Sequence, residues 1–230
     1  MTFSLTQRGT GRDLVLLHGY LSDKNAFAGL IPHLSKTYKV TALDFPGFGN
    51  AEPIGFGWSV GDYAAWLKGT LSALSIDRPL VIAHSFGARV AIKANCFEKL
   101  ALTGCPGIVR HGLKYRVKVA CYRLARKWKL SVADSFGSEE YKTLSPVMRE
   151  SYKKIVNEDL RVAVSKVDRP ILFLYGENDE TTPVSMGKKL CKKAKDGNLV
   201  VLKGCGHFAF LDDPLSFLLQ TDLFFQTSKR

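Results

Sequence analysis

Short apolar runs at residues 14–17, 40–43, 80–83, 100–103, 171–175 and 199–202, each followed by turn-forming residues, constrain this chain more than any other feature of its sequence. None of them alternates apolar with polar. A strand that is apolar on both faces belongs in a sheet covered on both sides, which is the parallel case. Between the runs lie stretches of helical period. Tyr63, Trp66, Leu67, Leu71 and Leu74 are three or four positions apart and fall on one stripe. Strand and helix therefore alternate, which predicts a mostly parallel, doubly wound α/β sheet with right-handed crossovers. In such a sheet the ligand site lies beyond the carboxyl ends of the strands. A chain of 230 residues with 46% hydrophobic content supports one large core, so residues 1–230 are expected to form a single domain.

Residues 107–165 break the alternation, with helical patterning and no convincing strand. Leu113, Val117, Ala120, Leu124 and Trp128 keep the three-or-four spacing of an amphipathic helix whose apolar face needs a partner. A helical cap inserted over the site meets that need. The helix is also basic. The net charge of +12, from 33 Lys and Arg against 21 Asp and Glu, gathers at residues 110–129, which hold no acid, and at Lys188, Lys189, Lys192, Lys193 and Lys195. Such blocks attract nucleic acid, anionic lipid or an anionic substrate, or simply form solvated helix faces. No nucleic-acid motif accompanies them, and Tyr115, Tyr122 and Trp128 are better used packing the cap. Peripheral membrane contact through the basic cap stays open. Stable insertion does not, because no run approaches the ~18 apolar residues of a span. Residues 1–8 lack the apolar core of a signal peptide, so a cytoplasmic location is expected. Five cysteines, an odd number without C-x-x-C spacing, read as free thiols and not as a metal site or a disulfide framework.

The chemistry centres on residues 80–96, an apolar strand running into Ser85 and then a helical sequence. A strand–turn–helix with serine at its apex is the nucleophile elbow. Its sharp turn brings two backbones together and demands small residues two before and two after the serine. Ala83 and Gly87 hold those positions, alanine standing where glycine is usual. A serine hydroxyl needs a base. Among five histidines, His207 fits best, in a loop after the last apolar run. His84 is expected to project to the other side of the turn, His33 and His111 to lie on the surface, and His18 to shape a loop. The base in turn needs a carboxylate to fix its tautomer and stabilise the imidazolium. Glu177, Asp179 and Glu180 all follow the run at 171–175, and their positions alone leave the three open. An oxyanion hole is expected from the backbone N–H groups of Phe86, which opens the helix after Ser85, and Tyr20, which follows the run at 14–17.

Leu16-Leu17-His18-Gly19-Tyr20, Leu43-Asp44-Phe45-Pro46-Gly47-Phe48-Gly49, Ala83-His84-Ser85-Phe86-Gly87, Gly176-Glu177-Asn178-Asp179 and Gly206-His207-Phe208 occur in that order. Together they resemble the α/β-hydrolase superfamily, in particular its small bacterial members related to carboxylesterases and meta-cleavage product hydrolases. That resemblance implies the α/β-hydrolase fold, selects Asp179 as the acid, and gives Asp44 and residues 47–49 a role in shaping a turn. It implies hydrolysis of small to medium carboxylic esters through an acyl-enzyme, with thioesters and lactones as near relatives and with no cofactor or metal. Serine at position 85 argues against the dehalogenases and epoxide hydrolases, which use aspartate there. Carbon–carbon bond hydrolysis of a dienoic ketone is the main alternative, if Arg89 or a cap arginine holds the substrate's acid end. Phe208 is a further candidate substrate contact. A non-enzymatic binder using the basic cap is the remaining class.

Overall fold

A computed structural model describes residues 3–109 and 143–227. The predicted basic helix at 113–128 and the basic block at 110–129 lie outside the described residues, as does most of the expected cap.

Among the described residues seven strands form one sheet. They are β1 (Leu5–Arg8), β2 (Arg12–Leu17), β3 (Tyr38–Leu43), β4 (Leu80–His84), β5 (Lys99–Thr103), β6 (Ile171–Gly176) and β7 (Gly197–Leu202), in the spatial order β1-β3-β2-β4-β5-β6-β7. Every neighbouring pair is parallel except β1 with β3. All six apolar runs are strands. β1 lies outside the predicted runs, because its Leu-Thr-Gln-Arg is too short and polar to stand out. It pairs antiparallel at the edge, where only one side of the strand needs a partner.

Eight α-helices flank the sheet among the described residues: α1 (Ile31–Leu34), α2 (Val60–Ala73), α3 (Phe86–Ala94), α4 (Pro146–Val156), α5 (Arg161–Ser165), α6 (Val184–Cys191), α7 (Ala209–Asp212) and α8 (Pro214–Gln226). Alternation along the strands sorts the core into two layers. In β2 and β4, Val15, Leu17, Val81 and Ala83 face one side with α2 and α3, while Leu14, Leu16, Leu80 and Ile82 face the other with α1, α7 and α8. The predicted stripe on α2 is inward: Tyr63, Leu67 and Leu71 are buried, and Trp66 and Leu74 pack against them. Ser59 starts this helix through a capping box, accepting from the N–H of Asp62 while the Asp62 carboxylate accepts from that of Ser59. Lys188, Lys189, Lys192, Lys193 and Lys195 lie exposed on α6 and the turn after it, as a solvated face. Among the described residues no helix is long and apolar enough to cross a membrane.

At the opposite end of the sheet from the site, Lys99 does unusual work for a lysine. It is only 9% exposed, and its ammonium donates to the carbonyls of Phe224, Phe225 and Thr227 at the end of α8. Those carbonyls have no partners within the helix, and a cation there also meets the negative end of the helix dipole. Lys99→Met keeps the apolar stem but removes the donor. It is expected to lower stability by about 2 kcal/mol, a value typical of charged hydrogen bonds, measured by urea unfolding.

Candidate functional site

The strand order reverses about β2, which has β3 on one side and β4 on the other. The crevice at such a switch point is where open α/β sheets bind ligands. The loop of Gly19 and Tyr20 leaves β2 there, and Ser85 leaves β4.

Ser85 stands between β4 and α3 with φ 49 and ψ −107, a conformation that a residue with a Cβ rarely adopts and that costs about 1–3 kcal/mol. What permits it is the close approach of two backbones. A Cβ on Gly87 would stand 2.5 Å from the Leu17 carbonyl oxygen, and the Gly87 N–H donates to the His18 carbonyl at 3.1 Å. Ala83 is fully buried in the core and is accommodated. The half-buried Ser85 is further held by its own N–H, which donates to the Thr103 carbonyl at 3.0 Å. Phe86, the first residue of α3, has an N–H with no partner inside the helix, at the positive end of the dipole.

Asp179 and His207 come from the loops after β6 and β7, and those loops are stitched together. Asn178 N–H donates to the Cys205 carbonyl at 2.8 Å, Glu177 N–H to the Leu202 carbonyl at 2.9 Å, and Gly204 N–H to the Glu177 carboxylate at 3.1 Å. The His207 ring then leans against the end of β5, so close to Gly104 that a Cβ there would stand 2.9 Å from its Cε1. Thus Ser85 is bonded to Thr103 and His207 rests on the next residue. Asp179 is 3% exposed. Its Oδ2 accepts from His207 Nδ1 at 2.8 Å and from the Thr182 hydroxyl at 2.5 Å, and its Oδ1 accepts from the Thr182 N–H at 2.7 Å. Burial alone would raise the Asp179 pKa, but the hydrogen bonds from His207 and Thr182 outweigh it and hold the carboxyl below its ordinary value. An ionised carboxylate only accepts, so the proton of His207 sits on Nδ1 and Nε2 carries the lone pair. Glu177 and Glu180, the rival carboxylates, are both exposed. Thr182 had no signal in the sequence beyond lying three residues after an aspartate.

The remaining expectations divide. His18 is a shaping residue: fully buried, it donates from Nδ1 to the Gly19 carbonyl at 2.7 Å and accepts the Phe45 N–H on Nε2 at 3.1 Å, and burial lowers its pKa. Tyr20 ties its loop to α4 by donating its hydroxyl to the Met148 carbonyl at 2.9 Å, and its ring meets the edges of Phe48 and Phe86. Phe208 is 45% exposed beside the His207 ring, at 5.4 Å between centroids. Because α3 is buried on nearly every side, Arg89 is only 6% exposed, and its guanidinium donates to the Glu158 carbonyl at 2.8 Å. His84 was expected to turn away from the chemistry, yet its ring lies 4.8 Å from that of His207.

Asp44 shapes the turn beside the site. Fully buried, it accepts from the Ser4 hydroxyl, the Lys24 ammonium and the N–H groups of Lys24 and Asn50. Burial opposes ionisation, but these bonds prevail and hold its pKa at about 2, against 3.8. A depressed pKa gives stability that is present above the unfolded value and lost as pH falls from about 4 toward 2. Asp44→Asn is therefore expected to be about 2 kcal/mol less stable at neutral pH. Its unfolding free energy should also decline less steeply than that of the parent across this acid window, as urea melts at stepped pH would record.

A sheet of this order, with a strained serine at its switch point and an Asp–His pair at neighbouring strand ends, defines the α/β hydrolases. The chain belongs to them: the alpha/beta hydrolase family matches residues 14–220. Among relatives it is similar to the pimeloyl-[acyl-carrier protein] methyl ester esterase of Nitrosomonas europaea, 24% identical and covering 91% of this chain and 94% of that one. It is also similar to the 2-hydroxy-6-oxo-2,4-heptadienoate hydrolase of Pseudomonas putida, 24% identical and covering 91% and 87%. Among solved structures, an α/β hydrolase enzyme from a Medee basin deep-sea metagenome library superposes with a TM-score of 0.80 at 17% identity, over 99% of this chain and 95% of that one.

Proposed function

We propose that this hydrolase is a serine esterase that cleaves small to medium carboxylic esters through an acyl-enzyme, with Ser85 as nucleophile, His207 as base and Asp179 as the acid that orients the base. The single observation that carries this reading is the pairing of His207 Nδ1 with the buried Asp179 at 2.8 Å, at the same sheet edge as a serine held at φ 49. The Nε2 lone pair takes the Ser85 proton as the hydroxyl oxygen bonds to the acyl carbon. Negative charge gathers on the carbonyl oxygen, which the N–H groups of Phe86 and Tyr20 stabilise. The imidazolium, steadied by Asp179, returns the proton to the departing alcohol. Water then repeats the sequence and releases the acid. The segment at 107–165 serves as a cap, and Phe208 lines the substrate side of the base.

Of the cations that carbon–carbon bond hydrolysis would call on, Arg89 already donates to the Glu158 carbonyl, which supports the ester reading, and the cap arginines within 110–129 lie outside the described residues. Steady-state turnover of p-nitrophenyl butyrate, set beside that of a meta-cleavage product, tests the choice. The esterase reading expects turnover of the first, and activity on the second alone would overturn it.

A further inference from the structure

His84 is the last residue of β4, and alternation along that strand turns its side chain to the same face as Leu80 and Ile82. The loop carrying His207 folds back over this face. As a result the His84 ring sits in a box formed by His207 at 4.8 Å, Phe208 at 4.9 Å and Phe210 at 5.2 Å between centroids. It is 2% exposed. Its Nε2 lies 3.2 Å from the His207 carbonyl oxygen, which can only accept, so Nε2 carries the proton. Nδ1 is then a bare acceptor, buried and without a partner among the described residues. It faces Gly19 from the other side, 2.7 Å from where a Cβ would stand on that residue.

A buried acceptor with no donor is a standing penalty, and a leucine of similar volume in this apolar box would avoid it. What a leucine cannot do is donate to the carbonyl of residue 207. We propose that His84 is a positioning residue for the base: wedged between the His207 loop and the Gly19–Tyr20 loop, it holds the backbone of His207 by one hydrogen bond and so keeps the imidazole aimed at Ser85. This inference rests on the assignment of Ser85 and His207 as nucleophile and base. The wedge also stays uncharged. Burial first, and then the nearby His207, pushes the His84 pKa down to about 3, with His18 acting in the same direction and Asp179 against it. No second positive charge therefore arises beside the imidazolium that forms during turnover.

The test compares His84→Leu, which keeps the bulk, with His84→Gln, whose side-chain amide can still donate to the carbonyl. His84→Leu is expected to lower kcat on p-nitrophenyl butyrate roughly tenfold to a hundredfold, the scale of a small misplacement of a reacting group, with KM within about twofold. His84→Gln is expected to recover most of the loss. A residue that only filled space would shift the melting temperature and leave kcat per folded molecule unchanged. Parental kcat in His84→Leu, or a glutamine variant no better than the leucine one, overturns the proposal. Should neither variant fold, the imidazole 15N spectrum of the unaltered protein decides: His84 protonated on Nε2 at neutral pH supports the role, and protonation on Nδ1 refutes it. Failure of the underlying assignment looks different, because Ser85→Ala and His207→Ala would then keep their activity whatever His84 does.

Discussion

His207→Ala is expected to abolish ester turnover almost completely, with kcat falling by roughly 10^6 when nucleophile and base act as one unit. The reason is that no other group among the described residues is placed to replace it. A serine hydroxyl gives up its proton only to a positioned base, and the other described histidines are all engaged or misplaced. His18 has both ring nitrogens bonded to backbone. His84 keeps its one free lone pair on Nδ1, which faces Gly19 and is donated to by no described group. His33 pairs with Asp222 on the surface. Ser85→Ala is expected to lose as much, and the double variant no more than either alone, because removing a second member of a broken relay changes nothing further. Initial rates of p-nitrophenol release check this, with thermal melts confirming that all three variants are folded.

Asp179→Asn is the second large effect, expected to lower kcat by roughly 10^4. The asparagine fits the space but presents an amide that carries no charge to steady the imidazolium. It also lets the imidazole proton move to Nε2, where the ring can no longer accept from serine. Thr182 sharpens the expectation. Its N–H donates to the Oδ1 position and cannot face an NH2, so the amide oxygen belongs there, which turns the NH2 toward His207 and the Thr182 hydroxyl, a group that can accept as well as donate. Glu177→Gln and Glu180→Gln, at the two exposed carboxylates, are expected to stay within a few-fold of the parent in the same assay.

Much of this arrangement was legible in the chain itself, for identifiable reasons. A strand buried on both faces must be apolar throughout, and six such strands announced the parallel sheet. Gly87 and Ser85 announced the turn between β4 and α3, because close backbones exclude larger residues. Legibility failed where the answer lay in distance and not in sequence. Three carboxylates within four residues look alike until one is buried against an imidazole. Arg89 sits one turn after Ser85 in sequence, and only the packing around α3 shows that it is nearly buried and bonded to the Glu158 carbonyl. Strand alternation gives the direction of the His84 side chain but says nothing of the His207 loop that returns over it. β1, at the antiparallel edge, has too little apolar content to be recognised. The cap expected at 107–165 is described only at its ends, where Gly107 accepts from the Leu160 N–H at 2.8 Å and so joins the entry of the segment to its exit.

The most direct measurement is the site and rate of modification by a fluorophosphonate probe, read by intact mass and peptide mapping. A single adduct is expected on the peptide containing Ser85, absent in Ser85→Ala and formed at least roughly a thousandfold more slowly in His207→Ala. Labelling of another residue, or labelling of Ser85 at the parental rate without the imidazole of His207, would contradict the account.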